Sequence, residues 1–303
     1  MRFLRPIALV LTLLGSAASA ADAPSTPAGP PPEAWRDVSP DNLVLIDTRY
    51  GQVVVELAPD FAPGHVARMR KLLHAHFYDG KSFYRVIDGF VAQGGADEDT
   101  SATPDAPVNP KLLKNWPPLK AEFDHPLFDD PKFTPLGNPD SFAPEVGFVN
   151  GFPVGRDLGE KREWVLHCPG TFAFARDNDD NTATTEFYIV IGEAPRRLDR
   201  NLTAFGRVLS GMQYLQKLER GDPDVDAGVI QDVAKRDPIV RMQLVSDMAP
   251  KDRPHWQVLR TDSATFADMV EKRRHPAPEF YHRPPLPNLD VCSVPVQVRL
   301  VKP

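Results

Sequence analysis

From Phe83 to Gly95 the chain runs Phe-Tyr-Arg-Val-Ile-Asp-Gly-Phe-Val-Ala-Gln-Gly-Gly. This stretch gathers residue types suited to chemistry on a neutral, planar group. Arg85 offers a permanently charged donor, Gln93 an amide that both donates and accepts, and Phe90 and Val91 an apolar wall. No nucleophile, carboxylate pair or metal-ligand set accompanies them. Such a surface fits holding an amide by hydrogen bonds and shape, not cleaving it. Asp88-Gly89 between β-forming runs reads as a hairpin turn joining strands at 83–87 and 90–93. Strict alternation would put Phe83, Arg85 and Ile87 on one face and Tyr84 and Val86 on the other.

Other residues with chemical potential make weaker groups. His65, His74 and His76 lie in or near an apolar-faced helix at 62–76 and read as solvated histidines, since their spacing is not that of a metal site with a carboxylate between. Asp177, Asp179 and Asn181 alternate like the opening of a calcium loop. Thr182 then stands where glycine is needed and Tyr188 where glutamate is needed, so calcium is not expected. No metal or other cofactor is expected.

The elements that must position Arg85 and Gln93 are mostly short strands. Runs at 43–48, 52–57, 83–87, 90–93, 171–175, 186–191, 205–209 and 238–245 read as strands, and residues 62–76 and 210–218 as helices, the second capped by Ser210. The order strand–strand–helix–strand–strand excludes a parallel α/β sheet. It favours a mainly β protein: a closed eight-stranded antiparallel barrel capped by two helices. The barrel domain is placed at 41–247. Within it, residues 97–163 are rich in proline and aspartate and read as a long irregular insert, whose Trp116, Phe123, Phe128 and Phe148 imply packing over the barrel. Residues 248–303 read as a C-terminal extension with a helix at 261–274.

The 303 residues are 42% hydrophobic and 25% charged, ordinary globular values, while the 33 prolines are about twice the usual share. A formal net charge of −6 removes the electrostatic case for nucleic acid or an anionic membrane. Arg2 and Arg5, an apolar run at 7–14 too short to span a bilayer, and Ala18-Ser19-Ala20 read as a signal peptide over 1–20. The mature chain would begin near Ala21 with a proline-rich leader to residue 40, structure starting near Leu43, and would be periplasmic or secreted. In such a compartment Cys168 and Cys292 are either one disulfide or two buried thiols. No later stretch is apolar enough to cross a membrane, and a monomer is expected.

The 83–95 stretch resembles the signature of the cyclophilins, the peptidyl-prolyl cis-trans isomerases. Phe77-Tyr78-Asp79-Gly80 before it, the run from Gly170 to Arg176, the run from Thr185 to Ile189, and Leu198-Asp199 followed by the run from Phe205 to Val208 continue the likeness in order. It covers roughly 43–96 and 164–247, not the insert or the extension. The resemblance implies Arg85 as the catalytic arginine and Gln93 as its support. It implies Phe90, Val91, Tyr188, Leu198 and Leu202 around the proline ring, and Ala175, Arg176 and Glu186 along the bound peptide. Departures lie mainly on one wall: Glu186 replaces glutamine, Tyr188 phenylalanine, Arg197 tryptophan and Leu202 histidine, and Val91 stands for methionine. The partners implied are proline-containing segments of unfolded or exported proteins. A second reading is a non-catalytic peptide-binding chaperone or scaffold on the same fold.

Overall fold

The computed structural model describes residues 29–96, 110–127 and 133–301. The expected signal peptide, the first part of the leader (residues 21–28) and Phe128 lie outside these. Eight strands close into an antiparallel barrel: β1 Leu43–Thr48, β2 Gly51–Leu57, β3 Ser82–Val86, β4 Val91–Gly95, β5 Thr171–Phe174, β6 Phe187–Val190, β7 Ala204–Ser210 and β8 Asp237–Leu244. Around the barrel they run β5-β6-β4-β3-β8-β1-β2-β7, with β7 pairing back to β5. Closure leaves no free sheet edge.

Apolar residues fill the interior. Val44, Ile46, Val53 and Val55 meet Phe172, Phe174, Phe187 and Phe205 in one core. The rings of Phe174 and Phe205 lie 4.6 Å apart, and those of Phe172 and Phe205 4.8 Å apart. Helix Pro63–His74 adds Val66, Met69, Leu72 and Leu73 to this core. The second expected helix shortens to one turn, Met212–Leu215. Its N-cap is Gly211 at φ 97°, while Ser210 ends β7. Glycine suits that left-handed position, and an added Cβ would come within 2.6 Å of the Gln52 carbonyl.

Helix Pro63–His74 has no capping side chain of its own; its N-cap is Ala62. The Glu122 carboxylate takes that role, accepting from the backbone N–H groups of Gly64 and His65, each at 2.9 Å. His65 is therefore not the solvated histidine expected. It is buried against Phe174 and Phe205, with Nδ1 2.7 Å from Glu122. Burial pushes the Glu122 pKa up, but the His65 hydrogen bond and the two backbone N–H groups outweigh it and hold the carboxyl below its ordinary value. Glu122→Gln is expected to lower stability by about 1–2 kcal/mol at neutral pH. In the wild type this contribution is complete above the unfolded glutamate pKa and is lost as pH falls through the depressed folded value. Urea unfolding of both proteins at neutral and acid pH measures it.

Residues 97–163 are not irregular where described. His125–Pro126, Phe133–Pro135, Glu145–Val149 and Phe152–Asp157 join Arg162–Val165 in a five-stranded sheet. Its central hairpin turns at Asn150 (φ 50°) and Gly151 (φ 85°), the left-handed pair of a tight two-residue turn. One face of this sheet packs Val149, Phe152, Val154 and Val165 against Val91, Ala173, Tyr188 and Val190 on the outside of β4, β5 and β6.

Regular structure also begins before Leu43. Trp35–Asp37 pairs with His255–Leu259, which pairs with Val298–Val301. The extension thus forms a small sheet with the end of the leader. Val258, Val296 and Val298 cover Leu43, Leu45 and Val54 on the barrel's outer surface. Helix Ala264–Arg274 starts at Ser263, whose hydroxyl accepts from the Phe266 N–H, and buries Phe266 and Val270 beside Phe148 and Trp164 of the inserted sheet. Cys168 and Cys292 are bridged, with Cα atoms 5.1 Å apart. No helix among the described residues is long and apolar enough to cross a membrane.

Candidate active site

A bulge in β3 shapes the site. Phe83 pairs with Gly94 and Arg85 with Gln93, so Tyr84 is the extra residue. Strict alternation fails there: Phe83 and Val86 both enter the barrel core, while Arg85 is left half-buried on the outer face opposite Gln93. Arg85 Nη1 donates to Gln93 Oε1 at 3.0 Å, and Gln93 Nε2 donates to the Tyr84 hydroxyl at 2.6 Å. Tyr84 was not among the expected site residues; the bulge turns it from an alternating core residue into the group that orients Gln93.

Arg85 Nε is held from the other side by the Ala227 carbonyl at 2.8 Å. Ala227 was not foreseen either. It lies in a loop whose Gly221 N–H donates to the Val86 carbonyl and whose Ile230 N–H donates to the Tyr84 carbonyl, so the loop runs along the bulged part of β3. Asp226 (φ 48°) and Ala227 (φ 51°) both take the left-handed conformation, which is unfavourable for residues with a Cβ. The surrounding loop holds them there and aims the carbonyl at Arg85. Burial lowers the Arg85 pKa, yet a guanidinium starts high enough to stay charged at any physiological pH.

The hairpin turn carries Phe90. Its N–H donates to the Ile87 carbonyl, with Gly89 at φ 67°. The chain after β6 pairs with this turn, as Ile191 and Glu193 donate to the carbonyls of Phe90 and Gly89. Gly192 lies so close that a Cβ there would be 1.9 Å from the Gly89 carbonyl carbon. Only glycine admits that approach.

Arg85, Phe90, Val91, Gln93, Ala175, Arg176, Tyr188, Leu198, Leu202 and Ala227 line one cavity of about 390 Å³. The barrel thus brings nine of the ten residues expected at the site together. The exception is Glu186. Its carboxylate accepts from the Ala96 N–H at 2.6 Å and the Thr185 hydroxyl at 3.0 Å, and it lies under Gly95, where a Cβ would be 2.2 Å away. It fixes the end of β4 and is not part of the cavity wall.

Arg176 reaches the cavity but uses its guanidinium as a brace. Nε donates to the Asn201 carbonyl, Nη2 to Asn201 Oδ1, and Nη1 to the carbonyls of Asp177 and Asn178. Phe123 of the insert lies against the same guanidinium. Arg197 is exposed and outside the cavity lining, while its neighbour Arg196 is buried. Tyr188 is buried, with its hydroxyl 2.9 Å from His167 Nε2. Burial, then the nearby Asp199 charge, raises its pKa far above the phenol range, so it is a neutral wall with a fixed polar tip. Among the described residues, none of the insert lines the cavity.

A closed eight-stranded barrel bearing, on its outer face, a braced arginine and glutamine beside an apolar pocket defines the class. The chain belongs to the cyclophilin-type peptidyl-prolyl cis-trans isomerases, whose family model matches residues 43–244. A crystal structure of a cyclophilin from Hirschia baltica is similar to it at 32% identity and a TM-score of 0.68, covering 89% of this chain and 94% of that one. A probable peptidyl-prolyl cis-trans isomerase of Brucella suis is 29% identical over 196 residues, 65% of this chain and 80% of that protein. Peptidyl-prolyl cis-trans isomerase B of Bacillus subtilis is 28% identical over 171 residues, 56% of this chain and 85% of that one.

Proposed function

We propose that this isomerase acts on Xaa-Pro bonds of exported polypeptides, with Arg85 stabilising the twisted amide. Resonance makes the bond resist rotation, with a barrier of about 20 kcal/mol and relaxation over tens to hundreds of seconds. Rotation removes the resonance and leaves the proline nitrogen pyramidal and able to accept a hydrogen bond. The observation that carries this reading is the double brace on Arg85, from Gln93 on Nη1 and from Ala227 on Nε, beside the apolar cavity. A donor already held in place loses little freedom when the transition state forms. Phe90, Val91, Tyr188, Leu198 and Leu202 clamp the ring while the preceding residue turns. No covalent step is involved. A thousandfold acceleration needs about 4 kcal/mol, within reach of one charged hydrogen bond and apolar positioning.

Export is supported by the residue pattern at 1–20 and by the Cys168–Cys292 bridge, which persists in an oxidising compartment. Two measurements test the proposal. A protease-coupled assay on a short Xaa-Pro peptide should show catalysis that depends on Arg85. Mass spectrometry of the protein recovered from the periplasm or medium should give a chain beginning near Ala21. Catalysis indifferent to Arg85, or an uncleaved cytoplasmic chain, would contradict the corresponding half.

A further inference from the structure

The pocket wall at Tyr188 is tied to the inserted sheet through side chains that the isomerisation itself does not use. The Tyr188 hydroxyl lies 2.9 Å from His167 Nε2, and the two rings stack at 6.2 Å and 17°. His167 is fully buried; its backbone N–H donates to Asp199 Oδ1 at 2.8 Å, and its Nδ1 lies 3.2 Å from the same oxygen. A carboxylate only accepts, so Nδ1 carries the proton and Nε2 accepts from the Tyr188 hydroxyl. The other Asp199 oxygen accepts from Arg196 Nε at 2.5 Å. Arg196 then makes a two-pronged pair with Asp140, at 3.0 and 3.1 Å. Asp140 belongs to the insert, where it accepts from the N–H groups of Phe142 and Ala143 just before strand Glu145–Val149. The chain of bonds therefore starts in the insert and ends on the ring that walls the proline pocket.

Two further features run in parallel with it. The inserted sheet packs directly behind this wall, with Val149, Phe152 and Val154 in one cluster with Val91, Tyr188 and Val190. His167 also precedes Cys168, which is bridged to the extension. A tyrosine at this position buries a hydroxyl that needs a partner. His167 supplies it, and so fixes the ring in one setting.

We propose that His167 and Asp140 are positioning residues for the proline pocket, acting through Asp199, Arg196 and the Tyr188 hydroxyl, so that the insert sets the shape and preference of a pocket it does not line. The proposal rests on the isomerase reading of this site, and its test separates the two. Asp140→Asn keeps shape but removes the charge from the pair with Arg196. It is expected to shift the Tyr188 ring resonance, assigned by its loss in Tyr188→Phe. It is also expected to change kcat/KM on a short Xaa-Pro peptide by about threefold or more, mainly through KM. In a Tyr188→Phe background the same substitution should change kcat/KM by less than about 1.5-fold, because the link is already cut. An equal change in both backgrounds, or no change in resonance and rate, would overturn the proposal. If Asp140→Asn does not fold by circular dichroism, His167→Gln carries the same cycle and the same outcomes. The resonance is read without turnover, so a wild type lacking isomerase activity would reject the activity reading while leaving this coupling measurable.

Discussion

Arg85→Ala is expected to lower kcat/KM for an Xaa-Pro peptide by about a hundredfold to a thousandfold while the protein stays folded. That range corresponds to roughly 3–4 kcal/mol, the usual cost of removing one preorganised donor from a site where charge or a lone pair develops. The side chain is half-buried and its two protein partners lie at the surface of the barrel, Gln93 on β4 and the Ala227 carbonyl in a loop. Truncation therefore removes a donor without opening the interior, where Phe83 and Val86 remain in place. Loss should appear chiefly in kcat, since the apolar side chains of the cavity that hold the ring, Phe90, Val91, Tyr188, Leu198 and Leu202, are unchanged. Arg85→Lys should recover only part of the rate. An ammonium keeps the charge but lacks the planar fork that satisfies Gln93, Ala227 and an incoming amide together.

Removing the Cys168–Cys292 bridge, by Cys292→Ser or by reduction, is expected to lower stability by about 2–5 kcal/mol. The bond joins residues 124 apart in sequence, so it restricts the unfolded chain strongly. In the folded state it ties the segment leading into β5 to the end of the extension, beside the cluster of Leu166, Phe266, Val291 and Val294. Chemical denaturation with and without reductant measures the difference. Coincident unfolding curves would mean that packing alone secures the extension.

Most of the barrel can be read from residues 43–57 and 171–245, because its strands are apolar runs bounded by turn residues. Leu43-Val44-Leu45-Ile46 is continuously apolar because both of its faces are covered: Val44 and Ile46 face the barrel core, and Leu43 and Leu45 meet the extension. The inserted sheet is harder to read, since Gly147, Pro153 and Gly155 interrupt the alternation of its two central strands. Asn150-Gly151 between them is nonetheless a strong hairpin signal. At the site, Arg85, Phe90 and Gln93 were legible from residue type and order, and Leu198 only through the resemblance to the cyclophilins. Tyr84 was hidden because a bulge breaks the alternation that sequence reasoning relies on. Ala227 was hidden because it contributes a backbone carbonyl, which residue type does not reveal. Glu186 was misplaced for a local reason: its carboxylate finds the Ala96 N–H and folds away from the cavity.

The central claim is that a braced guanidinium, and not binding alone, speeds rotation about the Xaa-Pro bond. Exchange NMR on an Xaa-Pro peptide with a small amount of protein tests it most directly, because binding shifts and cis–trans exchange are read from the same spectra. The wild type should produce both shifts and strong exchange cross-peaks, and Arg85→Ala should keep the shifts and lose the exchange. Exchange of equal rate in Arg85→Ala, or a wild type that shifts the peptide without exchanging it, would contradict the account and favour a peptide-binding chaperone.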